Sequence, residues 1–297
     1  MAHILVVDDN PVDRKLISAI LQRTTNWTVD TVNDGQQAVD FLQRAAADLV
    51  VTDLQMPNMD GVTLVQKIRR DFRSIPVVLV TAFGSEQESV AALQAGAANF
   101  SHKTRLKTDL VPTVRNVLDW AQAIRQRSSD DSRTDLALGK QQMAFVLDNC
   151  LGQIRTLIET LDANLPEWAA ADSLRISMAL EEALCNAICH GNLEVDSRLK
   201  ERDGNVYEDT VSQRLDCEPF CERRVRVQVE FSDCKLKFEI DDDGQGFNPG
   251  ELPDPTSPEN IRKPSGRGLL LIRSFMDEVL HNASGNHITL IKNRREV

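Results

Sequence analysis

Glu181-Glu182-Ala183-Leu184-Cys185-Asn186-Ala187-Ile188-Cys189-His190-Gly191-Asn192 is the stretch on which the reading of this chain turns. It closes a helical pattern that begins near Ser173. In it Ile176, Leu180, Ala183, Leu184, Ala187 and Ile188 recur at three- and four-residue steps and predict one buried face. Glu182 and Asn186 fall on another face, four residues apart, so their side chains leave adjacent turns in the same direction. That spacing can hold a carboxylate beside a metal-ligating amide. It is equally the polar stripe of an ordinary core helix, and the rest of the chain has to decide between the two. Gly191 is expected to stop the helix.

Downstream, Val225, Val227, Val229 and Phe231 alternate, as do Leu236, Phe238 and Ile240, predicting two adjacent antiparallel strands with one wet face. The second runs into Asp241-Asp242-Asp243-Gly244-Gln245-Gly246-Phe247. Its glycines let backbone approach a flat or phosphorylated ligand, and a carboxylate there can accept a hydrogen bond from an exocyclic amine. Alone, this segment reads as readily as an acidic turn. Residues 248–264 hold five prolines and lead into Ser265-Gly266-Arg267-Gly268-Leu269-Leu270-Leu271-Ile272. Glycines opening an apolar helix make a phosphate-binding N-terminus or a simple helix-entry turn. A strand over residues 288–292 is expected to complete a mixed sheet. Upstream, Met143, Val146, Leu147, Cys150, Ile154, Leu157, Ile158 and Leu161 predict a helix across residues 140–163, which contains no histidine. Residues 193–222, polar and weakly periodic, read as an insertion.

The first part of the chain has a different rhythm. Apolar runs near residues 3–7, 49–52 and 75–80 alternate with helical patterns over 11–23, 61–70 and 86–95, which predicts a parallel sheet covered on both faces. In such sheets ligands collect at the carboxyl ends of the strands. Asp8 and Asp9 follow the first strand, Asp53 the third and Thr81 the fourth, and Lys103 closes the segment Asn99-Phe100-Ser101-His102. Crowded carboxylates repel unless a cation joins them, and an all-oxygen donor set suits Mg²⁺. Lys103 and the Thr81 hydroxyl could then contact a phosphoryl group on one carboxylate, for which Asp53 is the best nucleophile. Any one of these residues would serve as well as a strand-end turn or cap; the five together argue for a site.

The chain has 297 residues, enough for two cores, with 41% hydrophobic and 27% charged residues. No apolar run approaches the roughly 18 residues of a membrane span, and Met1-Ala2-His3 opens no signal peptide, so a cytoplasmic protein is expected. Its net charge of −11 is unevenly placed: residues 1–127 carry 14 Lys/Arg against 14 Asp/Glu, leaving 20 against 31 for the remainder. An acidic second half disfavours nucleic acid as a partner. All six cysteines lie there too and are expected to be reduced. Cys217 and Cys221 lack the second pair that a metal site would need. Residues 125–133 hold no apolar side chain and read as a linker.

Val6-Val7-Asp8-Asp9, the run from Val51-Thr52-Asp53 through Met56-Pro57-Asn58-Met59-Asp60-Gly61, Thr81-Ala82 and Lys103 together resemble a response-regulator receiver domain, an α/β doubly wound parallel (flavodoxin-like) fold. The resemblance implies Asp53 as phosphoacceptor, Asp8 and Asp9 as the acidic pair that binds Mg²⁺ with it, and Thr81 and Lys103 as phosphoryl contacts. It also implies Phe100 as an aromatic that moves with Thr81, and an upstream histidine kinase or phosphotransfer protein as donor. Thr104 stands where that family usually has proline, so the loop after Lys103 is expected to differ in shape.

The Glu182 to Asn192 segment, the Asp-x-Gly-x-Gly turn, a long lid and Gly266-Arg267-Gly268, taken in order, resemble the GHKL (Bergerat) ATP-binding fold, an α+β two-layer domain. The nearer likeness is to its anti-sigma-factor serine/threonine kinases of the RsbW/SpoIIAB type. This implies that Asn186 ligates the Mg²⁺ of Mg-ATP, that Asp242 reads the adenine amine and that Gly244 and Gly246 shape the pocket. Residues 247–268 would close over the phosphates, with Gly266, Arg267 and Gly268 at their end. Arg262, Lys263 and Arg267 are the available lid cations. Glu182 would be the general base, and His190 either a phosphate-side contact or a structural helix-end residue. The implied substrate is a STAS-type anti-sigma-factor antagonist, with room for a bound sigma factor and for a homodimer.

The expected organisation is a receiver domain over 1–125, a linker over 126–139 and a GHKL domain over 140–297 with its insertion at about 193–222. An ATP-dependent partner-binding switch without phosphotransfer is the alternative. A histidine kinase with an internal receiver would need the missing histidine, and a transcription factor would need a basic output half.

Overall fold

The computed structural model describes residues 1–82, 86–128, 141–201, 205–251 and 267–294. The chain forms two compact units, residues 1–129 and 130–297. In the first, β1 (His3–Val7), β2 (Thr28–Val32), β3 (Leu49–Asp53), β4 (Val77–Thr81) and β5 (Asn99–His102) alternate with α1 (Pro11–Thr24), α2 (Gly35–Leu42), α3 (Gly61–Asp71), α4 (Glu86–Ala95) and α5 (Val111–Ser128). All strand pairs are parallel, in the order β2-β1-β3-β4-β5. Helices on both faces leave Ile4 to Val7, Leu49 to Val51 and Val77 to Val80 with almost no exposed surface, which is why these runs carry no polar alternation. Asn10, Asp34 and Asp60 cap α1, α2 and α3 by accepting from Val12, Gln37 and Thr63 backbone N–H groups. Sequence patterning passed over β2 and α2. β2 is an edge strand with a mostly exposed Thr-Val-Asp-Thr-Val run, and α2 has only eight residues.

The second unit comprises β6 (Gln141–Leu147), α6 (Leu151–Ala163), α7 (Ser173–Asn186), α8 (Val206–Leu215), β7 (Val225–Phe231), β8 (Lys235–Asp242), α9 (Arg267–Phe275), β9 (Glu278–His281) and β10 (His287–Asn293). The helix expected across 140–163 begins only at Leu151. Met143, Val146 and Leu147 mimic helical spacing, but Met143, Phe145 and Leu147 are the alternate, less exposed positions of a strand paired with β7. The sheet, ordered β6-β7-β8-β10-β9, is antiparallel throughout rather than mixed. The reason is β9, four residues long and unforeseen. A direct return from α9 to β10 would have made β10 parallel to β8; the β9–β10 hairpin reverses it. α6 and α7 lie together and α9 packs on α7. Ile176, Leu180, Ala183, Leu184 and Ile188 are buried as their spacing required, alongside Val227, Phe231, Phe238 and Ile240 from the sheet.

Gly191 does not stop the helix. Residues 187–192 continue it as a turn of π-helix, and Gly191 is not among the left-handed positions. Its lack of a side chain serves instead a close approach to Asp242. Within the region read as an insertion, residues 206–215 form α8. Among the described residues no helix is long and apolar enough to cross a membrane, and no group of Cys or His side chains is gathered for a metal.

Candidate functional site

The carboxyl ends of the parallel strands bring the five expected residues to one edge. Asp8 is fully buried just beyond β1, Asp53 ends β3 and Thr81 ends β4, while Asp9 is exposed. Asp8, Asp9 and Asp53 each present an oxygen within 4.8 Å of the others. The Lys103 ammonium reaches into this group, donating to Asp8 Oδ2 at 3.0 Å and lying 3.3 Å from Asp53 Oδ1. It also donates to Asp13 Oδ2 at 2.8 Å, a partner that sequence reasoning missed because Asp13 lies inside α1.

Burial, seconded by the Asp8 charge, pushes the Asp53 carboxyl up to about 6 against the pull of Lys103. Burial raises Asp8 as well. For Lys103 burial opposes the charge, but Asp13, Asp53 and Asp8 outweigh it and hold the ammonium above the usual lysine range. A cluster of carboxylates this crowded, all oxygen and short of positive charge, fits a divalent cation of the Mg²⁺ kind.

The sign of the Asp53 shift has a measurable consequence. Its folded pKa lies above the ordinary 3.8, so the folded unit holds more protons than the unfolded chain between the two values and loses stability as pH rises through about 6. Asp53→Asn cannot ionise. Without divalent ions it should be the more stable protein at pH 7, by about 1–2 kcal/mol after allowance for solvent screening. The advantage should vanish near pH 4; urea unfolding at the two pH values reads it, and equal stability at pH 7 would contradict the burial argument.

The buried Thr81 hydroxyl does not face this group unengaged: it shares a hydrogen bond with His102 Nδ1 at 3.1 Å. The His102 ring stands edge-on to buried Phe100, with centroids 5.4 Å apart. His102 gave no sequence signal, since its partner lies one strand away. The peptide between Lys103 and Thr104 is trans.

In the second unit α7 carries Glu182 and Asn186, both half-buried, towards the start of α9. A Cβ built on Gly268 would collide with Glu182 Oε2 and lie 3.9 Å from Asn186 Nδ2, so glycine at this point lets the first turn of α9 approach both side chains. Arg267 opens α9; Gly266, Arg262, Lys263 and most of the expected lid lie outside the described residues. The same wall continues through the π-helical turn to Asp242 at the end of β8. There a Cβ on Gly191 would fall 2.5 Å from Asp242 Oδ1 and one on Gly244 2.8 Å from the same atom. The Gly244 N–H donates to Asp242 Oδ1 at 2.9 Å. Burial, with Asp243 and Asp241 adding to it, pushes Asp242 up to about 6. Gly246, at φ +73°, sits where a side chain would collide with the Ser284 carbonyl, and this mates the turn to the β9–β10 hairpin.

His190 Nδ1 donates to the Val195 carbonyl at 2.6 Å. A cavity of about 390 Å³ opens beside this turn, lined by His190, Glu194, Asp196, Ser197, Gln245 and Gly246.

A buried polar chain ties the wall to its surroundings. Asn192 donates to Asn149 Oδ1 at 2.7 Å and accepts from the Asp243 N–H at 2.8 Å, while Asn149 donates to the Phe220 carbonyl at 2.8 Å. Arg223 grips both the Asn192 carbonyl and Glu194 Oε1. Residues 193–222 are thus fastened to the Asp242 turn from both ends. Sequence reasoning missed Asn149 and Arg223, whose partners are distant along the chain.

Residues 4–115 match the family model described as response regulator receiver domain, and residues 147–292 match the one described as histidine kinase-like ATPase domain. Response regulator Rre1 of Synechocystis sp. is 29% identical over 208 residues, covering 68% of this chain and 84% of its own length. Transcriptional regulatory protein GlrR of Escherichia coli is 35% identical over 136 residues, covering 43% of this chain and 30% of its own, so this chain spans under a third of that relative. Among solved structures, the response regulator TrrA of Thermotoga maritima is 29% identical, covering 39% of this chain and 97% of its own, with a TM-score of 0.36. The chain carries a receiver domain, with its parallel five-stranded sheet, followed by an ATPase domain of the GHKL kind.

Proposed function

We propose that this protein is a response regulator in which phosphorylation of Asp53 tunes a Mg-ATP-dependent serine/threonine kinase. Its receiver domain would span 1–125, its linker 126–139 and its kinase domain 140–297. The observation that carries the reading is the α7 wall: Glu182 and Asn186 converge on Gly268 at the head of α9, and the same helix runs on to the Asp242 carboxylate between Gly191 and Gly244.

In the receiver, Asp53 Oδ attacks the phosphorus of a phosphohistidine on an upstream histidine kinase or phosphotransfer protein. An O–P bond forms, the P–N bond breaks and the imidazole leaves with a proton. Asp8, Asp9 and Asp53 would hold Mg²⁺, which supplies charge neutralisation there. Lys103 and Thr81 would take the phosphoryl oxygens, Thr81 on leaving His102. In the kinase domain Asp242 would accept from the adenine amine, Asn186 would hold the nucleotide's Mg²⁺, and Gly244 and Gly246 would keep the pocket floor low. Gly266, Arg267 and Gly268 would flank the phosphates. Glu182 takes the proton of a substrate hydroxyl as its oxygen bonds to the γ-phosphorus and ADP departs. The absence of histidine from residues 126–163 favours a hydroxyl acceptor over autophosphorylation on histidine. By resemblance the substrate is a STAS-type anti-sigma-factor antagonist, with a sigma factor as a further bound partner. A cytoplasmic location follows from those partners.

The test is incubation with γ-labelled ATP and STAS proteins from the same genome, with and without prior phosphorylation of Asp53. Label should pass to serine or threonine at a rate that changes with the state of Asp53. Glu182→Ala should bind ATP as tightly as the wild type and transfer about 10²- to 10⁴-fold more slowly. Undiminished transfer by that variant would remove Glu182 from the chemistry. Binding of ATP without transfer to any partner would favour nucleotide-dependent partner capture instead.

A further inference from the structure

The Lys103 ammonium has three N–H bonds, and three carboxylates from three elements take up positions around it: Asp8 beyond β1, Asp53 at the end of β3 and Asp13 in the first turn of α1. The shortest contact, 2.8 Å, is to Asp13. Asp8 and Asp53 belong to the three-oxygen group suited to a cation; Asp13 does not. A divalent cation and the lysine therefore compete for the oxygens of Asp8 and Asp53 but not for Asp13. Asp13 lies in the first turn of α1, where the helix dipole favours a negatively charged side chain.

We propose that Asp13 is a positioning residue for Lys103: it seats the ammonium beside the acidic group independently of Asp8 and Asp53. Those two can then accept Mg²⁺ while the lysine stays within reach of the phosphoryl acceptor. The proposal rests on the metal reading of Asp8, Asp9 and Asp53. It differs from a simple electrostatic role, in which Asp13 would attract the cation directly across the site. In a seating role the effect of Asp13 runs through Lys103 and disappears when the lysine is removed.

A double-mutant cycle separates the two. Mg²⁺ affinity is measured by calorimetry on the full chain, without nucleotide, for the wild type, Asp13→Asn, Lys103→Met and the double variant. In Asp13→Asn the lysine falls back on Asp8 and Asp53 and competes with the ion, so Mg²⁺ binding should weaken about tenfold. In the Lys103→Met background the same substitution should change affinity by less than about twofold, the residue of a screened, partly exposed charge. An equal loss in both backgrounds, or none in either, would overturn the seating role. A wild type that binds no Mg²⁺ would overturn the metal reading beneath it. Asp13 is partly exposed and asparagine is isosteric, so Asp13→Asn should fold; a single cooperative thermal transition without Mg²⁺ checks that each variant is folded.

Discussion

Asp53→Asn, incubated with acetyl phosphate and Mg²⁺, should acquire no aspartyl phosphate while the wild type becomes stoichiometrically labelled, a difference of at least about a thousandfold in rate. Of the clustered carboxylates, Asp8 is committed to the Asn10 N–H and to Lys103, and Asp9 lies out in solvent. Asp53 ends a buried strand with Lys103 3.3 Å from its oxygen, placed to neutralise an arriving phosphoryl group. The amide keeps the shape and removes the anionic oxygen that must attack. Intact-mass spectrometry under conditions that preserve acyl phosphates reads the result. Continued phosphorylation of the variant would assign the nucleophile to a neighbour.

The second large effect belongs to Gly191→Ala. A methyl group at that position meets the Asp242 carboxylate at 2.5 Å from Oδ1, and Gly244, whose own N–H holds that oxygen, leaves no room on the other side. The carboxylate has to swing out of its cradle, losing the orientation in which we propose it accepts from an adenine amine. A hydrogen bond to a charged group contributes about 1.5–3 kcal/mol, so ATP affinity should fall roughly ten- to hundredfold. Overpacking should also destabilise the second unit by about 1–3 kcal/mol. Asp242→Asn is the useful comparison, since it weakens the adenine contact without the steric push. Calorimetry with ATP and thermal unfolding together separate the two; unchanged affinity in Gly191→Ala would remove Asp242 from nucleotide recognition.

How much could be read beforehand depended on how local the signal was. The strand-end residues Asp8, Asp53 and Thr81 were legible because uninterrupted runs such as Val77-Val78-Leu79-Val80 announce strands with two covered faces, and the shared chain direction of parallel strands then puts their terminal residues at one edge. Glu182 and Asn186 were legible because a four-residue step suffices to align them. Asp13, His102, Asn149 and Arg223 were not, because each acts through a partner brought near only by the finished fold. Gly191 was noticed for the wrong reason: glycine at a helix end suggests a stop, and nothing local says that a carboxylate fifty-odd residues on needs the space. Gln141 to Leu147 misled because Met143, Val146 and Leu147 satisfy helical spacing by coincidence, while exposed Val146 marks the outer face of a strand.

That strand has a bearing on how the protein behaves in the tube. Gln-Gln-Met-Ala-Phe-Val-Leu is seven residues without a charge, a proline or a glycine, and among the described residues β6 sits at the rim of its sheet, paired with β7 alone. Its outer row of N–H and C=O groups is a template for another copy of the same segment, and Val146, 68% exposed, adds an adhesive side chain. When samples are concentrated, warmed or frozen, this edge is one from which self-association of the second unit can start.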